Sequence, residues 1–184
     1  MVIVIVVGMP GSGKDVLLQS AIALGFGHIS MGDVVRNFAA KLGLDSSDQS
    51  IGSFASFERQ KHGAAIWAKR TLENMPDGNV IIDGSRSLDE INQFRKRLGN
   101  DLNVIAIHAP QETRFKRLQL RRRNDDPESL EDFIRRDKRE MTWGIGKAIE
   151  CADIAIDNDG GLEEFRMRCL VALESILECH GKSI

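Results

Sequence analysis

Val2-Ile3-Val4-Ile5-Val6-Val7 is an unbroken apolar run, all of it β-branched, and Gly8-Met9-Pro10-Gly11-Ser12-Gly13-Lys14-Asp15 follows it directly. Continuous apolarity over six residues predicts a strand covered on both faces, the habit of a parallel sheet. The next eight residues contain GxxxxGK, ending where a helix begins near Gly13. Leu17, Leu18, Ala21, Ile22 and Leu24 give that helix one broad apolar face, and Gly25 supplies its stop signal. Glycines let a backbone wrap closely around phosphate oxygens, and the amides and positive dipole end of a helix favour negative charge there. Gly8, Pro10, Gly11, Ser12, Gly13, Lys14 and Asp15 are therefore the candidate nucleotide-binding residues, with Lys14 reaching the outer phosphates. The competing reading is a glycine-rich turn that binds nothing; strand, loop, lysine and helix in one order weigh against it.

Asp15 departs from the pattern, because the residue after the lysine is normally a Ser or Thr whose hydroxyl coordinates magnesium. A carboxylate there can ligate the metal, hold one of its waters, or simply decorate the first turn of the helix.

Outward from this segment, Val80–Ile82, Val104–Ile107 and Ile154–Ile156 are short apolar runs of strand type, and His28-Ile29 predicts a short strand after the first helix. Helical patterns separate them. Leu88, Ile91, Phe94 and Leu98 follow Ser87, whose hydroxyl forms an expected capping box with Glu90. Pro110 is placed to open another helix, and Leu162, Phe165, Cys169, Leu173 and Ile176 make an apolar stripe on the last. Strands alternating with helices predict a three-layer α/β sandwich around a parallel sheet, since parallel neighbours need crossovers.

Bulk properties bound the function. At 184 residues one hydrophobic core is the usual solution, so a single domain over 1–184 is expected. A net charge of -2 argues against a protein whose main partner is a nucleic-acid backbone. Cys151, Cys169 and Cys179 have no CxxC spacing, and His28, His62, His108 and His180 have no metal-ligand spacing, so neither a disulfide framework nor a zinc site is expected. No segment approaches the roughly 20 apolar residues of a membrane span. Cytoplasmic residence without a membrane partner is the expectation; oligomeric state is not readable.

Ile29-Ser30-Met31-Gly32-Asp33-Val34-Val35-Arg36 has the spacing of the adenylate-kinase segment IS-T-G-D-x-x-R, and Ile81-Ile82-Asp83-Gly84-Ser85-Arg86 resembles that family's D-G-F-P-R with the proline missing. Arg123-Asn124-Asp125-Asp126 is similar to its R-x-D-D lid segment, and Ala152-Asp153-Ile154-Ala155-Ile156-Asp157-Asn158-Asp159-Gly160 to the end of dephospho-CoA kinases. Together these resemble an archaeal adenylate-kinase-related, dephospho-CoA-kinase-like P-loop family.

The resemblance implies a five-stranded parallel sheet of nucleotide-kinase type, a mobile acceptor-binding arm at about 31–75 and a short lid at about 121–136. It implies ATP and Mg2+ as cofactors, Asp83 beside the metal, where the Asp15 carboxylate would join it by its own chemistry, and Asp33, Arg36 and Arg86 on a nucleotide acceptor such as AMP. Lys14, Arg86, Arg123, Arg136 and Asp83 become the catalytic set, with Arg135 and Arg136 both open for the later lid position. ATP is preferred over GTP because no NKxD segment is present. A planar, permanently charged guanidinium suits a phosphate, although such residues are also common on solvated helices. If the acceptor is a hydroxyl, Asp33 or Asp83 is the candidate base.

Three functions follow: a nucleoside-monophosphate kinase, a dephospho-CoA kinase, or a nucleotide-binding switch with weak hydrolysis. Between Asp45 and Met75, Arg59, Lys61, His62, Lys69 and Arg70 could contact an acceptor but read more readily as solvated helix residues, and Trp67 and Phe57 as packing residues rather than base-stacking platforms. RNA binding by the arginine-rich stretch is disfavoured by the scarcity of aromatics near it.

Overall fold

Every residue of β1 (Ile3–Val7) is buried, because this strand lies in the middle of the sheet with a helical layer on each face. The computed structural model describes residues 1–121 and 126–181, the side chains of residues 48 and 49 excepted. The sheet contains β1, β2 (Gly27–Ser30), β3 (Val80–Asp83), β4 (Leu102–His108) and β5 (Ile154–Asp157), in the order β2-β3-β1-β4-β5 with all neighbours parallel. This is the expected three-layer arrangement.

Alternation along β1 divides the core. Val2, Val4 and Val6 pack with Leu17 of α1 (Lys14–Ala23) and with Phe165, Cys169 and Leu173 of the last helix, α9 (Leu162–Gly181). Ile3, Ile5 and Val7 face the other way, toward α2 (Met31–Lys41), α3 (Asp48–His62), α4 (Ile66–Glu73), α5 (Leu88–Leu98) and α8 (Ile145–Glu150). Trp67 centres this second layer: it is fully buried, Phe38 and Phe54 meet it edge-on at 5.9 and 5.7 Å, and its indole N–H donates to Ala55 O at 3.1 Å. Between β4 and β5 run α6 (Gln111–Arg121) and α7 (Leu130–Thr142), joined by contact of Phe115 with Phe133.

Some local expectations are corrected. Leu162 and Ile22 lie on exposed surface rather than in their apolar stripes, and Phe57 is 56% exposed rather than packed; Lys61 lies over its ring. The capping box at Ser87 forms in one direction only. Ser87 Oγ accepts from Glu90 N, while the Glu90 carboxylate turns away to accept from Arg86 N at 2.8 Å. Among the described residues no helix is long and apolar enough to cross a membrane.

Candidate functional site

The parallel register pairs Val6 and Ser30 with Asp83 on either side, so the carboxyl ends of β1, β2 and β3 finish level. That edge is where open α/β sheets hold ligands. Gly8–Gly13 leaves β1 there and turns into α1, with Gly11 and Gly13 at φ 79° and 104°. Both glycines are also required by what lies behind the loop. A Cβ on Gly11 would stand 2.6 Å from the carbonyl oxygen of Arg114, and one on Gly13 would stand 2.2 Å from Asn158 Nδ2. The loop is thus backed by α6 and by the turn after β5.

Asn158 is the buried hub of that backing. Its Nδ2 donates to Ser12 O at 2.7 Å, its N–H donates to His108 O at 2.7 Å, and its Oδ1 accepts from Arg117 at 2.9 Å. Arg114, also buried, makes a double ion pair with Asp137 at 2.9 and 2.5 Å and donates to Pro10 O at 3.1 Å. The Ser12 hydroxyl, expected among the nucleotide-binding groups, is buried without a hydrogen-bond partner among the described residues and lies outside the lining of the cavity that Gly8, Pro10, Gly11 and Gly13 border.

Lys14 Nζ donates to Gly8 O at 2.7 Å and Met9 O at 3.3 Å. Burial pushes its ammonium below the ordinary lysine range, with Arg86 adding to the fall and Asp83, Glu140 and Asp15 opposing it. Phosphate oxygens would both replace those carbonyls and favour the charged form, so loop and lysine fit a nucleotide tail. Among the described residues no three His, Cys, Asp or Glu side chains lie close enough to hold a metal ion by themselves. Asp15 and Asp83 fit magnesium only in its common mode, with phosphate and water oxygens completing the shell.

From the loop a cavity of about 800 Å³ extends to α3. Among the described residues its lining holds Lys14 and seven arginines (36, 59, 86, 117, 121, 136 and 139) against three carboxylates, Asp15, Asp83 and Glu140. Four of these guanidinium groups are held by acids that do not line the cavity. Arg36 is held by Asp33 at 2.5 Å, Arg59 by Glu90 at 3.0 Å, and Arg121 by Asp126 at 2.5 Å, with Arg136 at 3.7 Å from the same Asp126. Arg86 lies 3.3 Å from Glu140 and over the Trp143 ring at 4.8 Å, where Arg139 also stacks at 5.3 Å.

Of the residues singled out from sequence, Gly8, Pro10, Gly11, Gly13, Lys14, Asp15, Arg36, Asp83, Arg86 and Arg136 all line this one cavity. Asp33 lies outside the lining and holds Arg36 instead. Arg135 is exposed and pairs with Asp132, so of the two adjacent arginines only Arg136 faces the cavity. Arg123 falls outside the described residues, as do Asn124 and Asp125. Arg59 and Arg70 are largely buried in ion pairs with Glu90 and Glu58, not solvated as expected. Glu140 is not marked by the sequence, although Phe133, Asp137 and Glu140 share one buried face of α7 at i, i+4 and i+7 spacing, a signal hidden by the charge of the surrounding segment.

A family model described as AAA domain matches residues 7–134. UPF0200 protein Ta0179 of Thermoplasma acidophilum is 45% identical over 167 residues, covering 90% of this chain and 92% of that one. A UPF0200 protein of Thermococcus onnurineus is 41% identical over 184 residues, covering 97% of this chain and 100% of the other.

The chain belongs to the UPF0200 family.

Solved structures extend the fold of this UPF0200 protein further. TT1252 from Thermus thermophilus matches with a TM-score of 0.67 at 17% identity, covering 95% of this chain and 96% of its own. A gluconokinase from Sinorhizobium meliloti 1021 matches with a TM-score of 0.59 at 16% identity, covering 100% and 98%. At such identities the likeness shows architecture alone, an α/β fold with a five-stranded parallel sheet flanked by helices; it is the AAA-domain match over residues 7–134 that places the chain among P-loop NTPases, consistent with nucleotide binding.

Proposed function

We propose that this UPF0200 protein is an ATP- and magnesium-dependent phosphotransferase whose acceptor is a small phosphate-bearing molecule, in first place a nucleoside monophosphate such as AMP. What supports the reading is one continuous cavity that runs from the glycine-rich loop to α3 with seven arginines and Lys14 along it. A triphosphate and an acceptor phosphate placed end to end are a concentrated anion, and a low-dielectric cleft lined with seated guanidinium groups suits one.

In this reading the amides of Gly8–Gly13 and Lys14 hold the donor's outer phosphates. Arg121 and Arg136, with Arg123 outside the described residues, flank the moving group, and Arg36 and Arg86 hold the acceptor, Asp33 fixing Arg36. The acceptor oxygen bonds to the terminal phosphorus as the bond to the bridging oxygen breaks, and ADP leaves with that electron pair. An ionised phosphate oxygen needs no base, so the protein's contribution is alignment and charge stabilisation. Magnesium, when bound, shields the phosphate charge; Asp15 and Asp83 would hold it through water. In the same reading the chain is one domain over 1–184 with an acceptor-binding arm at about 31–75 and a short lid at about 121–136, of which Arg36 and Arg59, and Arg121 and Arg136, are among the described residues that line the cavity.

One observation favours a second reading. Glu140 is a buried carboxylate on the cavity wall beside Arg86; it weakens that arginine's pull on a phosphate and offers a proton acceptor, as transfer to a hydroxyl, for instance the ribose of dephospho-CoA, would require. A coupled ADP-release assay over nucleoside monophosphates and dephospho-CoA, with ATP and GTP as donors, separates the two. Turnover with a monophosphate is expected, and Arg36→Ala should mainly raise the acceptor KM. Turnover with dephospho-CoA alone establishes the hydroxyl reading, and ADP release indifferent to every acceptor reduces the protein to a nucleotide-binding switch.

A further inference from the structure

Glu90 is fully buried in the first turn of α5 and does not line the cavity. Its carboxylate nevertheless gathers groups that do. Oε1 accepts from Arg59 Nη2 at 3.0 Å, and Oε2 accepts from the Arg86 N–H at 2.8 Å and from Ser85 Oγ at 3.4 Å. Arg59 comes from α3, within the arm, while Ser85 and Arg86 belong to the turn after β3. One acid therefore ties together two pieces of chain far apart in sequence, each presenting a guanidinium to the same cavity.

The chemistry of that tie is specific. A carboxylate with a guanidinium on one oxygen and two further donors on the other is well satisfied even without water. A helix cap alone would need only the Ser87 hydroxyl, and a buried pair made for stability alone is a poor investment of two charges. Arg59 keeps 23% of its side chain exposed, toward the cavity, while Glu90 shows none, so the acid is hidden and the cation is displayed.

We infer that Glu90 is a positioning residue that seats the arm's Arg59 and the Arg86 turn together, making them one grip on the acceptor's phosphate. The inference rests on the phosphate-acceptor reading above and adds Arg59 as an anion-binding side chain. Movement of the arm is thereby transmitted to the turn that carries Arg86, so arm and turn engage an acceptor as a unit.

The test measures AMP binding by calorimetry in the presence of a saturating non-hydrolysable ATP analogue, and analogue binding separately, for the full chain and for Glu90→Gln, Arg59→Gln and the double variant. Glutamine keeps the shape and one acceptor oxygen but loses the charge. Each single variant should weaken AMP by roughly tenfold and leave the analogue's affinity unchanged, and the double variant should lose little more than the worse single one, because both act through the same contact. Amide exchange should quicken in α3 and in residues 84–87 of Glu90→Gln together. Equal losses for AMP and analogue, additive losses in the double variant, or unaltered exchange in both segments overturn the inference. Failure of the unmodified chain to bind AMP is a different result: it removes the monophosphate-acceptor reading and the Glu90 role with it. If Glu90→Gln does not fold, Arg59→Gln, which leaves the carboxylate its two other donors, still decides whether Arg59 serves the acceptor alone.

Discussion

Asn158 reaches across 146 positions of sequence to donate its side-chain amide to the carbonyl oxygen of Ser12 at 2.7 Å. The phosphate-type loop is thus shaped from behind by the end of the sheet's last strand. Asn158→Ala leaves a buried carbonyl and Arg117 without this partner and should cost about 1–3 kcal/mol, read by urea unfolding. Asn158→Asp keeps a partner for Arg117 but turns an acceptor toward another acceptor, so it should weaken ATP binding in calorimetry more than it lowers stability.

Gly11 and Gly25 both sit at positive φ, 79° and 86°, but their surroundings differ. Gly25→Ala has open space and should lose only the conformational cost of about 1–2 kcal/mol. Gly11→Ala meets the Arg114 backbone at 2.6 Å, and a backbone atom of a packed helix cannot swing away. Its unfolding free energy should fall by about 3 kcal/mol or more, with nucleotide binding lost before the fold is.

Lys14 gives a proton signature. Its ammonium is depressed by burial in the absence of phosphate, and a triphosphate beside it raises the pKa again. At a pH between those two values the lysine is neutral before binding and charged after it, so binding draws a proton from solution. Calorimetry in alkaline buffers of differing ionisation enthalpy should show this uptake. Lys14→Ala should abolish both the uptake and most of the affinity, and EDTA should weaken binding by exposing the donor phosphates to Asp15.

Glu140→Gln distinguishes the two acceptor chemistries. If a phosphate is the acceptor, removing the charge leaves Arg86 a stronger anion ligand, and the acceptor KM should fall or hold with kcat little changed. If a hydroxyl is the acceptor, the base is gone and kcat should drop about a hundredfold or more. Steady-state kinetics with the acceptor that emerges from the panel reads the difference directly.

Cys169 is held in the layer between α9 and the sheet, and burial pushes its thiol from 9.0 up to about 12. The unfolded thiol ionises first, so ionisation favours the unfolded chain and stability is lost as pH rises from 9 toward 12. Cys169→Ala, whatever its own packing cost, should flatten that fall in unfolding experiments. In the native chain a thiol reagent should label the exposed Cys179 and spare Cys169.

The sheet was legible because its strands are short apolar runs and its loop is a dense local pattern. Cavity residues at strand ends, such as Asp83 and Arg86, could be reached the same way, since strand ends in a parallel sheet converge. Glu140 could not, and Arg59 was one of five candidate acceptor contacts with nothing to single it out. Both lie on charged helices whose composition resembles a solvated surface, and only tertiary packing turns those faces inward. Asp33 illustrates a subtler loss: its spacing beside Arg36 was visible, but whether the acid or the base meets the cavity depends on a helix rotation that spacing does not specify. Asn158 stood within a quoted segment, yet its partner lies at the opposite end of the chain.

The central strand of the sheet is also the first to be synthesised. Ile3–Val7 finds its two hydrogen-bonding neighbours only in Val80–Asp83 and Leu102–His108, each more than 70 residues further along the chain. Non-local pairing of this kind slows folding and exposes sticky intermediates. The glycine-rich loop shares that dependence, since the amide that backs it at Ser12 comes from Asn158, directly after the sheet's last strand.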